Sequence, residues 1–180
     1  MLVVGQSGVG KDTLIDGARK ALENDKRFTF VRRIVTRPAH AEIEDHDTLD
    51  PHQFAELAAA GRLALSWDAH NLHYGLPISL DTDLALGKIV IANVSRHVIA
   101  EARAKYPGCA VILITAEISL RAERLLKRGR EGRDQITARL AREGAPVPAG
   151  IEPILIDNSG TLTNGITAFV WALRAIAARE

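Results

Sequence analysis

A glycine-rich segment near the start of the chain limits its fold more than any other feature. The segment GQSGVGKDT, from Gly5 to Thr13, follows a short apolar run that predicts a buried strand, and a helical pattern begins at about Lys11. Glycines allow positive φ and a close approach of the backbone, so successive N–H groups of such a loop can point at phosphate oxygens. The helix adds the positive end of its dipole. Strand, glycine loop and helix in this order predict a nucleotide-binding loop in an α/β fold.

One position departs from the usual G-x-x-x-x-G-K-[ST] pattern, because Asp12 stands where a hydroxyl normally helps to hold magnesium. Thr13 offers a hydroxyl one residue later, on a different side of the helix turn. We expect Lys11 to reach the β- and γ-phosphates of a bound nucleotide. The predicted nucleotide-binding residues of the loop are Gly5, Gln6, Ser7, Gly8, Val9, Gly10, Lys11, Asp12 and Thr13.

The carboxylate of Asp12 has a hypothetical role as a metal ligand. Many proteins with such a loop also place an aspartate at the end of a neighbouring strand, whereas the strand predicted over residues 88–94 carries Asn93 near its end and no acid. Mg²⁺ prefers one or two carboxylates together with phosphates. We therefore hypothesise that Asp12 supplies the missing negative charge and binds Mg²⁺ directly or through its water shell.

Strand-like apolar runs and helical patterns alternate along the rest of the chain, which predicts a parallel sheet with helices on both faces. The runs at 88–94 and 109–115 are unbroken, as is typical of strands covered on both faces. The other strand predictions are 1–4, 28–35, 62–67, 72–77 and 153–156, and the helix predictions are 11–23, 50–61, 96–105, 118–128 and 166–178.

Length and composition fit a single soluble domain. The chain has 180 residues, of which 47% are apolar and 25% charged. A formal net charge of +1 gives no general attraction to nucleic acid or to a membrane, so neither is expected as a partner. Cys109 is the only cysteine, which excludes an internal disulfide. No window approaches the ~20 apolar residues of a membrane span, and the chain opens on a strand-like run instead of a signal peptide, so a cytoplasmic location is expected. The oligomeric state stays open, with a homodimer as one alternative.

A second motif follows the strand predicted over residues 28–35. Together with the glycine loop, the segment VRRIVTRPAHAEIEDHDTLDPHQF resembles the guanylate kinase family and related nucleoside monophosphate kinases. Those enzymes grip the phosphate of the acceptor with an S-x-x-T-R-x-P-R segment, which Thr36 and Arg37 match here. Arg33 falls on the serine of the family, and His40 falls on its second arginine.

Two further elements of the family lie downstream. A tyrosine that contacts the same phosphate falls on His46, and the N-x-Y-G element is matched by Tyr74 and Gly75. The resemblance therefore implies that the acceptor is bound by Arg33, Thr36, Arg37, His40, His46, Tyr74 and Gly75.

The base-reading positions of guanylate kinases are apolar in this chain. A glutamate and a hydroxyl that bond guanine in the family fall on Leu65 and Leu76, and an alignment shifted by one residue places Ser66 at the first position. A site that reads a purine through hydrogen bonds loses orders of magnitude in selectivity when its polar partners become apolar. We therefore expect that the chain retains the residues that bind the acceptor phosphate and lacks those that bind guanine.

Within this superfamily, the ribose 1,5-bisphosphate phosphokinases of phosphonate catabolism resemble the chain over nearly its whole length. The matching motifs, in order, are GQSGVGKD, VTRP, EDH, HYGLP, NVSR and RGRE. The resemblance implies ATP and Mg²⁺ as cofactors and a small sugar phosphate as acceptor. The implied reaction phosphorylates the 1-phosphate of ribose 1,5-bisphosphate and gives 5-phosphoribosyl 1-diphosphate and ADP.

The resemblance also implies a P-loop kinase fold in one domain, residues 1–180. Its expected parts are a core (1–35, 88–116 and 150–180), an acceptor-binding region (36–87) and an arginine-rich lid at about 125–145.

Cationic side chains suit an acceptor that has two anionic ends and no base. Arg37 is the best candidate for a bidentate phosphate clamp. Arg32 and Arg33 fit a solvated strand end equally well. We expect His52 and His97 on the surface, and the roles of His70 and His73 stay open.

The arginine-rich segment from Arg121 to Arg142 predicts the lid. Gly129 and Gly132 interrupt its helical pattern, so two helices joined at a glycine hinge can turn arginines towards one gap. In this superfamily a lid brings guanidinium groups to the transferred phosphoryl group, which can accelerate transfer by about 10³- to 10⁵-fold. The arginines expected in this role are Arg128, Arg130 and Arg139.

Arg124 shares the spacing of these lid arginines, whereas Arg121, Lys127 and Arg142 are expected on a solvated helix face. In relatives, the position of Asn158 contacts adenine, and a helix cap explains this residue equally well.

Three other functions are alternatives to the leading one. A divergent guanylate kinase would phosphorylate GMP, and a catalytically silent guanylate-kinase-like module would bind protein partners. Lys11 and the arginine-rich lid argue against the silent module, which needs neither. A gluconate kinase shares the loop but lacks the T-R-P segment.

Overall fold

Nine strands form two sheets in the computed structural model, which describes residues 1–37, 46–69, 71–127, 132, 136–137, 140 and 146–178. The strands in this part of the chain are β1 (Leu2–Val4), β2 (Phe28–Phe30), β3 (Arg33–Val35), β4 (His46–Thr48), β5 (Leu63–Ala69), β6 (Leu72–Pro77), β7 (Ile89–Asn93), β8 (Val111–Thr115) and β9 (Ile154–Asp157). The helices described at both ends are α1 (Lys11–Ala21), α2 (Pro51–Ala59), α3 (Ser79–Ala85), α4 (Ile99–Lys105), α5 (Ile118–Lys127) and α6 (Leu162–Ala177), with a 3₁₀ turn at Arg96–Val98.

The larger sheet has the strand order β2-β7-β1-β8-β9, and all of its pairs are parallel. Successive side chains of β1 point to opposite faces, as the pleat of a strand requires. Val3 packs with Leu14 of α1 and Phe169 of α6 on one face, whereas Leu2 and Val4 pack with residues of α3 and α4 on the other. The predicted parallel sheet with helices on both faces is therefore confirmed.

The smaller sheet has the order β4-β3-β6-β5. β5 and β6 form an antiparallel hairpin, and β3 pairs antiparallel with β6 and parallel with β4. The single strand predicted over 28–35 is wrong, because the chain leaves the larger sheet after Phe30 and enters the smaller one at Arg33. β4 and α3 were not predicted, since neither has a marked apolar pattern.

Local signals explain several helix ends. α2 begins at a capping box, in which the Asp50 side chain accepts from the Gln53 amide and the Gln53 side chain accepts from the Asp50 amide. α6 begins at Leu162, four residues before the prediction, because the Thr161 hydroxyl accepts from the Asn164 amide and caps the helix there. Among the described helices, none is long and apolar enough to cross a membrane.

Candidate active site

The glycine loop joins the carboxyl end of β1 to the amino end of α1, as predicted. Gly8 and Gly10 have φ of 81° and 90°, a region that disfavours any residue with a Cβ. No side chain caps α1 at Gly10, and the amino end of a helix is a favourable position for an anion. The Nζ atom of Lys11 donates to the carbonyl oxygens of Gly5 (2.8 Å) and Gln6 (3.2 Å), which places the ammonium group across the loop.

Three buried or partly buried polar side chains donate hydrogen bonds to backbone carbonyls of the loop or next to it. The Nδ2 atom of Asn158 donates to the Val9 carbonyl (2.8 Å), and Arg124 donates to the same carbonyl and, at 2.9 Å, to that of Asn158. Arg121 donates through Nε to the Ser7 carbonyl (3.1 Å). These bonds fix the loop in its curved shape before any ligand arrives.

The expectation that Arg121 lies on a solvated helix face is wrong, because its side chain is 3% exposed under the loop. Burial lowers the pKa of the Arg121 guanidinium, and the nearby positive charge of Arg96 adds to the effect. Lys127 is exposed as predicted and pairs with Glu123 one helical turn away. The spacing of cations on α5 did not reveal which of them faces the loop.

Asn158 does not cap α6, since Thr161 does so. Its side chain is buried and is directed to Val9, so the structure gives it a role in shaping the loop. Its predicted contact with adenine stays a prediction.

A cleft opens in front of the loop and extends to the smaller sheet. Among the described residues, its walls are formed by Gly5, Ser7, Gly8, Gly10, Lys11, Asp12, Arg33, Arg37, Trp67, Ala69, Tyr74, Asn93, Val94 and Ser95. Three of these side chains are cationic and one is anionic, so this wall favours a negatively charged ligand. The cleft therefore brings the loop and part of the predicted acceptor site together in one space.

Asp12 links the two sides of this cleft. Its Oδ1 atom accepts hydrogen bonds from Nη2 of Arg33 (3.1 Å) and from Nδ2 of Asn93 (2.7 Å). The three residues come from α1, β3 and β7, so both sheets meet at this carboxylate. The ion pair with Arg33 is partly buried, with the side chains 29% and 13% exposed.

The predicted acceptor residues divide into two groups. Arg33, Arg37 and Tyr74 line the cleft, whereas Thr36, His46 and Gly75 do not lie among the residues described in its walls. The Thr36 hydroxyl accepts from the His73 amide (2.8 Å) and ties β3 to β6.

The other members of the second group also have positions in the smaller sheet. His46 is buried where β4 pairs with β3, and a Cβ on Gly75 would meet Leu63 and Phe54 at 3.0–3.3 Å. These residues build the sheet that carries the cleft wall.

Several predicted residues have simple positions or lie beyond the described part of the chain. His40 and the lid arginines Arg128, Arg130 and Arg139 lie outside the described residues, as does Arg142. His52 and His97 are exposed, as expected, whereas Thr13, predicted to bind the nucleotide, is exposed and is not among the described residues of the cleft wall. Arg32 is an exposed strand-end residue that pairs with Asp47, and His73 lies 2.6 Å from Asp68 at the surface.

Neither alignment of the guanine reader reaches the cleft. Leu65 and Leu76 oppose each other across β5 and β6, are 3% and 1% exposed, and pack in the apolar core. Ser66 pairs with Gly75 on the other face of the hairpin and is exposed. These two leucines are core residues and are not among the described residues that line the cleft, so the loss of the guanine reader stays a prediction.

Sequence reasoning missed five residues that line the cleft: Trp67, Ala69, Asn93, Val94 and Ser95. Asn93 is the last residue of β7 and its two successors follow the strand, which neighbours β1, and ligands of open α/β sheets bind outside such carboxyl ends. That position was a usable signal. Trp67 carried none, because only the register of the hairpin with Tyr74 shows which way it faces.

The donor set suits a nucleotide phosphate with a magnesium ion. The described residues contain no group of three or more His, Cys, Asp or Glu side chains that could hold a metal alone. Mg²⁺ usually binds through one or two carboxylates plus substrate phosphates, and Asp12 provides one carboxylate at the loop. Both of its hydrogen bonds fall on Oδ1, so Oδ2 can face an ion.

Comparisons with known proteins agree with these features. The chain matches no protein-family model. It is 49% identical over 177 residues to a ribose 1,5-bisphosphate phosphokinase PhnN from Brucella abortus, covering 98% of this chain and 92% of that protein. It is 45% identical to the protein of the same name from Methylobacterium radiotolerans, covering 97% of both chains. A bifunctional ribose 1,5-bisphosphokinase-thymidine phosphorylase from Cupriavidus necator is 48% identical over 172 residues, which are 96% of this chain and 28% of that protein.

A solved structure supports the fold. The guanylate kinase from Anaplasma phagocytophilum aligns with a TM-score of 0.68 over 97% of this chain and 84% of that one, at 18% identity. The predicted guanylate kinase-like α/β fold is therefore confirmed.

Proposed function

Because the chain belongs to the ribose 1,5-bisphosphate phosphokinase family, we propose that it transfers the γ-phosphoryl group of ATP to the 1-phosphate of ribose 1,5-bisphosphate. The products are 5-phosphoribosyl 1-diphosphate and ADP. Its family and fold are those of a kinase, which implies the use of ATP. The observation that carries the proposal is the continuous cleft from the glycine loop to Arg33, Arg37 and Tyr74.

The donor side of the cleft positions the triphosphate. The N–H groups of the loop and of the first turn of α1 bind its oxygens. Lys11 exchanges the carbonyl oxygens of Gly5 and Gln6 for oxygens of the β- and γ-phosphates. Asn158 and Arg124 keep the loop rigid, so these groups need little rearrangement at the moment of transfer.

The acceptor side positions an anionic nucleophile. Arg33 and Arg37 bind phosphate groups of the sugar and bring an oxygen of its 1-phosphate towards the γ-phosphorus. A new P–O bond forms there while the bond to the bridging β–γ oxygen breaks, and ADP leaves with that electron pair. The nucleophile is already an anion, so no protein side chain has to remove a proton from it.

Asp12 is the proposed residue for the metal. Its Oδ2 would hold Mg²⁺ directly or through water, while Oδ1 keeps its bonds to Arg33 and Asn93. When bound, the ion neutralises negative charge on the β- and γ-phosphates. The proposed role of Arg128, Arg130 and Arg139 is to bring further positive charge to the same oxygens from the lid.

The test is to incubate the enzyme with ATP, Mg²⁺ and one acceptor at a time, and to identify the product by mass. Ribose 1,5-bisphosphate, ribose 5-phosphate, GMP and gluconate are the acceptors. We expect a product that carries a diphosphate on C1 only when the acceptor is ribose 1,5-bisphosphate. Formation of GDP at a higher kcat/KM would instead establish a divergent guanylate kinase. No product with any acceptor, together with no binding of ATP, would favour a silent module.

A further inference from the structure

The hairpin of β5 and β6 presents two successive pairs of side chains on one face. Leu65 opposes Leu76, and the next pair on this face is Trp67 opposite Tyr74. The leucine pair is buried in the core, whereas the aromatic pair lines the cleft. The aromatic pair therefore forms the boundary between the cleft and the apolar core.

Trp67 and Tyr74 form a firm wall. Their rings stack with centroids 5.6 Å apart and planes inclined by 8°. Tyr74 is buried, and Trp67 is partly buried against the apolar core that contains Val4 and Leu65, so packing fixes both rings. Stacked aromatic pairs gain attraction beyond the area that they bury.

The surroundings of Trp67 in the cleft are mostly charged or polar. The cations Arg33 and Arg37 and the carboxylate of Asp12 line the same space. A ligand with anionic ends and a compact ring with apolar C–H groups meets both kinds of wall, since its phosphates can reach the arginines while the ring rests on the indole. Next to the aromatic pair on this face, the space is filled by the buried pair Leu65 and Leu76, which leaves no room there for a purine base.

We propose that Trp67 determines acceptor specificity: its indole closes the cleft in front of Leu65 and Leu76, which excludes a purine base, and offers an apolar face to a pentose ring. This inference rests on the proposed function. The sequence led to the expectation that guanine is rejected only because its hydrogen-bonding partners are lost. In this proposal the indole of Trp67 excludes the base sterically.

The fluorescence of Trp67 tests the contact directly, since the chain has two tryptophans, Trp67 and Trp171. Trp171 is 71% exposed on α6 and is not among the residues that line the cleft, so the variant Trp171→Phe leaves Trp67 as the sole emitter. We expect its emission to change saturably with ribose 1,5-bisphosphate in the absence of ATP, and to stay constant with equal concentrations of GMP. Constant emission at sugar concentrations that saturate the reaction would overturn the proposal.

Kinetics supply the second test, with Trp67→Ala, Trp67→Phe and, as the matched control, Trp171→Ala. We expect Trp67→Ala to raise the KM for ribose 1,5-bisphosphate about five- to tenfold, from the loss of one ring contact, and to leave the KM for ATP within about twofold. GMP should become a competitive inhibitor that binds about tenfold more tightly than it binds the parent enzyme. Trp67→Phe keeps a flat ring, so its KM for ribose 1,5-bisphosphate and its affinity for GMP should lie between those of the parent and those of Trp67→Ala. Trp171→Ala should match the parent in both quantities.

The outcomes separate this inference from the proposed function. Unchanged KM and GMP inhibition in folded Trp67→Ala, with an active parent enzyme, would overturn the specificity role and leave the function standing. A thermal unfolding scan shows whether that variant folds, and Trp67→Phe decides the matter where it does not. A parent enzyme that makes no diphosphate from ribose 1,5-bisphosphate would overturn the function, and the inference with it.

Discussion

The carboxylate of Asp12, on the helix that follows the glycine loop, accepts a hydrogen bond from the guanidinium of Arg33, 3.1 Å away on β3. Arg33 lines the side of the cleft where the acceptor is proposed to bind, and Asp12 lines the side where ATP is proposed to bind. A single ion pair therefore connects the two halves of the site. A change in either residue should affect both substrates, whereas a separate metal ligand would affect only the nucleotide side.

Substituting Asp12 tests this connection. We expect Asp12→Ala to raise the magnesium concentration needed for half-maximal rate and to raise the KM for the acceptor roughly three- to tenfold, because Arg33 loses an ion-pair partner that is only partly screened by solvent. Asp12→Ser restores the usual hydroxyl of such loops and should keep activity or shift the metal preference. Steady-state rates over a magnesium titration measure both effects.

The control for Asp12 is Asp16→Ala on the same helix, which removes a carboxylate that pairs with Arg19 at the surface. It should leave the magnesium dependence and both KM values unchanged. An Asp12→Ala enzyme that titrates with magnesium like the parent would refute the metal role, and an unchanged acceptor KM would refute the positioning of Arg33.

Lys11 should be needed for the transfer step. Lys11→Met removes the cation that is proposed to follow the β- and γ-phosphates, and we expect kcat to fall by about 10²-fold or more. Lys20→Met, an exposed position on the same helix, should stay within about twofold of the parent. Single-turnover rates with saturating ATP make the comparison. Equal rates in the two variants would contradict the proposed role of the loop.

Asn158 should stabilise the loop and thereby the whole domain. In Asn158→Ala the carbonyl of Val9 loses its hydrogen bond of 2.8 Å from Nδ2 and keeps the longer one from Arg124, at 3.4 Å. Losing one hydrogen bond of this kind lowers the free energy of unfolding by about 0.5–1.5 kcal/mol, which urea denaturation measures. The affinity for ATP, measured by calorimetry, should fall as well. Asn164→Ala, at an exposed position of α6, is the control and should change neither quantity.

Gly10 should tolerate no side chain. A residue with a Cβ is strained at the φ of 90° that Gly10 has. The added Cβ would also lie 2.5 Å from Nδ2 of Asn158, which cannot move away without losing its hydrogen bond to the Val9 carbonyl. Gly87 has φ of 72° and nothing within 4 Å of an added Cβ, so Gly87→Ala reports the backbone strain alone, about 1–2 kcal/mol. We expect Gly10→Ala to lower the free energy of unfolding by about 1–3 kcal/mol more. An equal decrease of the free energy of unfolding in the two variants would show that the Asn158 side chain moves aside at no cost.

Sequence patterns predicted the parts of the fold that repeat a simple period. The apolar runs at 88–94 and 109–115 and the helical spacing after Lys11 led to the correct sheet and first helix. The run at 28–35 led to the wrong prediction of a single strand, because apolar character continues while the chain changes from one sheet to the other. Nothing local marks that change, since it depends on which strands are free to pair.

The candidate site was predictable where a motif fixes the backbone and unpredictable where tertiary packing fixes a side chain. The glycine loop, Arg33, Arg37 and Tyr74 belong to the first kind. Arg121 belongs to the second, because only the packing of α5 against the loop determines that this arginine is buried. Leu65 and Leu76 were aligned with base-reading positions, but they pack in the core, and the neighbouring pair Trp67 and Tyr74 lines the cleft.

The ammonium group of Lys11 has a second set of partners within the loop itself, the carbonyl oxygens of Gly5 and Gln6. In the proposed reaction, this cation keeps partners when ADP departs, because oxygens of the protein take over from those of the phosphates. Emptying the site is then less unfavourable than the strength of the proposed lysine–phosphate contact alone would imply. The side chain movement that releases one nucleotide would also prepare the loop for the next, which suits the proposed turnover.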